Sequence, residues 1–421
     1  MLETMELLPG ITLHCFHDDR FKQGALSIQF VRLMNREEAA SNALLPAVLL
    51  RGTQTYPDLR AITWRLDDLY GASVSALVRR VGDYQTTGLF CAFMEDRFAF
   101  EGDRILEPMM DFIEELLLHP LLEDGVFCNS FVRSEQKNLI STIESEINDK
   151  RGYAAAQLRR LMCRGDSFAL PRLGESDQAL QINAHNLYDH YQKVLRESPV
   201  ELFYVGSAET SEVAPLLKKL FGKMERAYMP IPPQKALCSG EGAHESERMD
   251  VTQAKLCMGF VTDVTNQSPM FAAMQVLNTL YGAGMTSKLF MNLREKQSLC
   301  YSIGSAYYGT KGILTVSAGI DESSEEVARS GILEQLRACC EGEITTAELE
   351  GAKEAILSGL RGVHDSPGAI EGYYETAFLS GLALMPQDYI AKVMTVTAED
   401  VAAAAKTLTY HSSFCLKGGV K

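Results

Sequence analysis

The sequence predicts an α+β fold, with one unit of mostly antiparallel sheet and helices packed on one face built twice in tandem. Three observations predict it. The same order of helix, strand, turn, strand and paired helices occurs in both halves of the chain. The strand-like runs alternate apolar and polar residues about tight turns, and the helical runs gather between hairpins instead of alternating with single strands.

In the first half, a helix-like segment ending Arg65-Leu66-Asp67-Asp68-Leu69-Tyr70 leads into a run where Val74, Ala76 and Val78 recur at the period of a half-buried strand. Gly82-Asp83 supplies a turn, and Leu89, Cys91 and Phe93 then share one face of a second strand. A long helix follows at about 105–118, then a break and another helix. An amphipathic helix, LYDHYQKVL, and a final strand, VELFYVGS, close this half. The second half repeats the order: LFMNLREKQSL, Tyr301, SIGSAYYG, a turn within 309–312 and ILTVSAGI. A helix at about 326–340 is followed by Thr345-x-x-Glu348, the capping box that starts another. AEDVAAAAKTL and SSFCLKG close the half. The stretch 229–248 is rich in Pro, Gly and charge and carries neither apolar period. The expected domains are therefore 1–228 and 249–421, joined by that linker.

Composition bounds the functions open to such a chain. A length of 421 residues suits two cores, and 46% apolar with 23% charged residues is a globular balance. The formal charge of −15 arises from 55 acidic and 40 scattered basic side chains, which argues against a nucleic-acid partner. The opening MLETMELLPGITLHCF has no basic segment leading into an apolar one, and no apolar run reaches the roughly 18 residues that span a bilayer. A cytoplasmic protein with no membrane partner is the expectation. Ten scattered cysteines without C-x-x-C read as buried thiols in a reducing compartment.

Four stretches, in order, resemble one family. ALLPAVLLRGTQTYPDL is similar to a catalytic helix in which H-x-x-E-H is followed by an apolar run and Lys/Arg-Gly-Thr; here Arg51-Gly52-Thr53 is present. LLLHPLLEDGVFCNSFVRSEQKNLISTIESEI resembles a His-Pro segment with a Glu-rich helix behind it, and INAHNLYDHYQKVLRESPVELFYVGS resembles the close of a first domain. YGAGMTSKLFMNLREKQSLCYSIGS is the most specific, with a small-residue loop, Leu-Arg-Glu-Lys and a Tyr seven residues after the Arg. Together they mark a resemblance, over nearly the whole chain, to the inverzincins: insulinase, pitrilysin and the mitochondrial processing peptidases.

In active members, two histidines four apart on one helix face bind zinc, a later Glu adds a third ligand, and the motif's own Glu polarises water. Counting back from Gly52-Thr53, the motif positions are Ala43, Leu44, Leu45, Pro46 and Ala47. Both histidines are alanine. Proline replaces the general base, and since it lacks an N–H and crowds the carbonyl four residues earlier, the helix is expected to kink or begin near it. Glu144 and Glu146 stand where the third ligand would be and read as solvated or ion-paired helix residues. His14 and His17, and His185 and His190, lack the ligand spacing and read as surface or capping histidines. There is also no G-x-S-x-G and no cysteine in a nucleophile's local signature.

Arg294 and Tyr301 are seven residues apart, about 700° around a helix, so they share a face if the helix runs that far. The resemblance implies that this pair reaches a substrate's backbone and reacting carbonyl. The plainer reading pairs Arg294 with a nearby carboxylate and has Tyr301 begin a strand, as Tyr70 does in the first half. Gly282 and Gly284 give their loop either mobility or positive φ in an ordinary turn.

The expected function is that of a pseudo-peptidase subunit, not catalytic alone and with no cofactor of its own. Zinc is expected only in a homologous partner subunit, to which this chain supplies Arg294 and Tyr301 in trans for unfolded peptides. A homodimer stays open. So do two alternatives, a peptide-binding or scaffold protein without a proteolytic partner, and a metallopeptidase with an unrecognised site.

Overall fold

In the computed structural model, which describes residues 2–237, 240–382 and 384–419, each of the two alternating hairpins forms one edge of a sheet. The first sheet takes β1 (Leu2–Leu8), β2 (Ile11–His17), β3 (Gln23–Leu33), β4 (Ser73–Val81) and β5 (Tyr84–Met94). A small hairpin of β6 (Leu122–Glu123) and β7 (Val126–Phe127) stands apart, and β8 (Val200–Gly206) completes the sheet in the order β1-β2-β8-β3-β5-β4. The second sheet contains β9 (His244–Arg248), β10 (Ala254–Val261), β11 (Cys300–Tyr308), β12 (Ile313–Ile320) and β13 (Thr409–Lys417), in the order β11-β12-β10-β13-β9. Pairing is antiparallel except β2 with β8 and β13 with β9.

The expected hairpins and capping box are present. Gly82 turns β4 into β5 with φ +58°, and Leu89, Cys91 and Phe93 are buried together in the first core. Thr345 accepts from the Glu348 N–H while Glu348 accepts from the Thr345 N–H, starting the helix Thr346–Gly362. The linker stretch departs from expectation at its end. Its last five residues, 244–248, form β9 beside β13, because polar side chains suit an edge strand with solvent on one flank.

The described chain divides into two units that do not follow the two halves of the sequence. The first comprises 1–144, 171–233 and 364–375; the second, 145–170, 234–363 and 376–421. Each half thus contributes one helical piece to the other unit. In the second, Ala154, Leu158, Leu161 and Met162 of the helix Lys150–Met162 pack on Cys257, Ile313, Phe414 and Leu416. In the first, Ile370 and Tyr374 of the helix Pro367–Leu379 pack on Phe203 and Val205. Beyond the main helical layer, a further helical piece covers the other face of each sheet. The cause lies in β8, where Leu202, Phe203, Tyr204 and Val205 are all buried, so both pleat faces are apolar and both need cover. Among the described residues no helix is long and apolar enough to cross a membrane.

Candidate functional site

The former metal motif lies on the helix Arg36–Leu49, capped by the Asn35 side chain on the Glu38 N–H. The helix starts at Arg36 and runs through Pro46, so it does not begin near the proline, one of the two outcomes the sequence allowed. The cost of that proline is met from the sheet. Pro46 has no N–H for the Asn42 carbonyl, and the Thr87 hydroxyl on β5 donates to it at 2.6 Å.

Around this point the polar atoms are already engaged. Asn42 Nδ2 donates to Gln85 Oε1 at 2.8 Å, and Gln85 Nε2 donates to the carbonyls of Ala39 and Arg172. Asn42 Oδ1 accepts from His190 Nε2 at 2.7 Å, the tautomer this network requires. Burial holds the His190 imidazole well below its usual range, at about 4, so it is neutral at pH 7. With methyl groups at Ala43 and Ala47 and a ring at Pro46, this shell offers zinc no coordinating set. Glu144 and Glu146 are exposed and make no ion pair among the described residues. Nor does any group of three His, Cys, Asp or Glu side chains among those residues stand so that it could hold a metal ion.

Two histidines read as surface or capping groups sit in structural networks instead, His14 buried and His190 half-buried. His14, only 4% exposed, bridges Thr4 Oγ1 at 3.0 Å and Glu201 Oε2 at 2.9 Å across three strands and stacks on Phe203. His190 sits in the network above. His185 is exposed at a helix start capped by Asn183, and His17 lies half-exposed beside Asp19 and Glu209. Nine cysteines are described, none in a disulfide and all buried except the half-buried Cys340.

The second unit carries a cleft of about 470 Å³ whose lining includes Gly282, Gly284, Phe290 and Arg294, with Gly304 and Ala306 of β11. Residues 303–306 of β11 line it together with Thr315 and Ser317 of β12, so it runs along the edge strand β11 and onto the sheet face beside it. Gly282 permits that closeness: a Cβ there would stand 2.6 Å from Ser305 Oγ and 2.9 Å from Leu289 Cδ1. Neither Gly282 nor Gly284 has positive φ, so the turn reading of these glycines does not hold.

Arg294 and Tyr301 do not share a helix. The π-helical segment Leu289–Lys296 ends before Tyr301, because Ser298 turns left-handed at φ +53°. The N–H groups of Ser298 and Leu299 close back on the carbonyls of Arg294 and Leu293, which caps the segment. Arg294, with its side chain 41% exposed, stacks on Phe290 with its Cζ 4.5 Å from the ring centroid, and its Nε lies 3.6 Å from Glu295 Oε1. Tyr301 is the second residue of β11, the extra residue of a bulge between Cys300 and Ser302; it is 55% exposed and does not line the cleft. Its hydroxyl donates to Asp321 Oδ1 at 3.2 Å, which raises its pKa.

The sequence reading missed one cleft residue, Arg151. It lies on the helix Lys150–Met162, lines the same cleft as Arg294, and is exposed, with no hydrogen bond or ion pair among the described residues. A signal existed. The first turn carries Lys150 and Arg151 and no acid, the reverse of what the helix dipole favours.

Comparison with known proteins agrees with this geometry. Residues 181–356 match the family model described as "Peptidase M16 inactive domain". The chain is 30% identical over 410 residues to the "Probable inactive metalloprotease YmfF" of Bacillus subtilis strain 168, covering 97% of this chain and 96% of that one. Among solved structures, a conserved protein from Enterococcus faecalis V583 superposes with a TM-score of 0.90 at 27% identity, covering 100% of this chain and 99% of that one. A peptidase M16 inactive domain from Pseudomonas fluorescens superposes at 0.81 and 15% identity, covering 100% and 98%, and shares the fold.

Proposed function

The chain belongs to the M16 family of peptidases, that of insulinase, pitrilysin and the mitochondrial processing peptidases, and from that premise we propose that it is a non-catalytic member acting on peptides through its second unit. One observation carries the reading. The motif shell is closed off by a proline and a satisfied hydrogen-bond network, while a cleft with a guanidinium stays open along a free strand edge. A strand edge receives an extended peptide by main-chain pairing, with walls that sort its side chains. In this role Arg294 grips peptide beside a zinc-bearing homologous subunit that performs the hydrolysis.

The test is a pulldown under native conditions followed by assay. The expected result is co-purification of a chain with intact H-x-x-E-H, peptidase activity that needs both chains, and loss of most of it on Arg294→Ala. Purified protein that cleaves peptides alone, with about one zinc per chain, would overturn the proposal. A second reading, peptide holding or scaffolding without a proteolytic partner, draws support from Tyr301, whose hydroxyl is engaged by Asp321 outside the cleft. Peptide binding that falls on Arg294→Ala with no partner recovered would favour it.

A further inference from the structure

Resting on the reading of the cleft as a peptide site, we infer that its preferred ligand is an extended peptide with acidic side chains, and that Arg151 sets this preference. The lining holds two guanidinium groups, Arg151 and Arg294, and no carboxylate. Around them small and hydroxylic residues such as Gly304 and Ser305 mix with Met285, Phe290, Ile303 and Tyr308, none of them charged, so no other charge competes for the cationic groups. Arg294 has a weak neighbour in Glu295 at 3.6 Å; Arg151 has no partner among the described residues.

The two cations come from opposite walls. Arg151 projects from the helix that packs on the Cys257 face of the sheet, and its Nη2 would lie 3.8 Å from a Cβ at Gly304. Arg294 comes from the segment Leu289–Lys296, which reaches the edge on the side where Ser305 donates to Asn278. A peptide paired along β11 would send alternate side chains to the two walls. An acid on one face meets Arg151, and an acid an odd number of residues away meets Arg294.

Arg151 also stands where folding alone gives no reason for a cation. It occupies the first turn of a helix, against the positive end of the dipole. The overall charge of −15 repels an acidic peptide at long range, so any preference must arise from these local contacts.

The experiment uses the full chain and short fluorescein-labelled peptides of one β-prone sequence, made neutral, with two glutamates at odd spacing, or with two lysines at the same places. The glutamate peptide is expected to bind about tenfold more tightly than the neutral one, as for one or two partly exposed ion pairs. Arg151→Gln removes most of that advantage and leaves the thermal midpoint unchanged, because Arg151 makes no hydrogen bond or ion pair among the described residues. Equal binding of acidic and neutral peptides, tighter binding of the lysine peptide, or an unchanged preference in Arg151→Gln overturns the inference while the peptide reading stands. Binding of no peptide overturns both. The same peptides with amidated carboxyl termini separate side-chain recognition from capture of a chain end: an advantage that vanishes on amidation also overturns the inference.

Discussion

Thr87 and Pro46 form a matched pair. Proline withholds a donor from the Asn42 carbonyl, and a hydroxyl on the neighbouring strand replaces it. Thr87→Val leaves a buried acceptor unsatisfied and is expected to lower stability by about 1–3 kcal/mol, read from the denaturant midpoint. In a Pro46→Ala background the helix regains its own N–H donor, so the same substitution should cost much less. Equal costs in the two backgrounds would show that the hydroxyl does not serve that carbonyl. Sequence reasoning identified Pro46 as the residue that displaces the general base, because that argument needs only its identity. It could not find Thr87, which stands far along the chain and meets Asn42 only after β5 pairs with β3.

At the scale of elements, the helix Pro367–Leu379 is held to the first sheet by charge as well as by Ile370 and Tyr374. Glu371 and Glu375, 0% and 2% exposed, both face the Arg79 guanidinium on β4; Gln29 donates to Glu371, and Thr86 lies within hydrogen-bond reach of Glu375. Two carboxylates share one cation. Burial, with Glu371 adding to it and Arg79 opposing, pushes the Glu375 carboxyl up to about 7. The folded state therefore holds this proton more tightly than the unfolded chain does. The resulting stability is complete below the unfolded value of about 4.3 and is lost as pH rises through about 7, on the order of 3 kcal/mol in all. Glu375→Gln is expected to flatten the stability profile between those limits, and an unchanged slope in urea titrations across that window would refute the assignment. Arg79→Met should destabilise by about 3–5 kcal/mol at neutral pH, since two buried carboxylates would lose their cation.

On the scale of the molecule, two units each take a helical piece from the other half of the sequence. Fragments cut at the linker, 1–228 and 249–421, would each lack such a piece. The first would leave Phe203 and Val205 uncovered; the second, Cys257, Phe414 and Leu416. Each fragment alone is expected to bind a hydrophobic dye and aggregate, and the two refolded together to recover the circular dichroism of the whole chain. Fragments that fold cooperatively by themselves would contradict this.

The sequence alone determined what depends on short-range pattern and on residue identity: the two hairpins, the capping box at Thr345, the doubled α+β order, and the methyl groups and proline at the motif positions. Alternation and cap chemistry act over a few residues, so the strings carry them. Tertiary structure alone decided the exchange of helical pieces, the burial of His14 and the network around His190, the turn at Ser298 that parts Tyr301 from Arg294, and the arrival of Arg151 in the same cleft as Arg294. Each depends on groups distant in sequence or on a single backbone angle, and neither leaves a periodic trace along the chain.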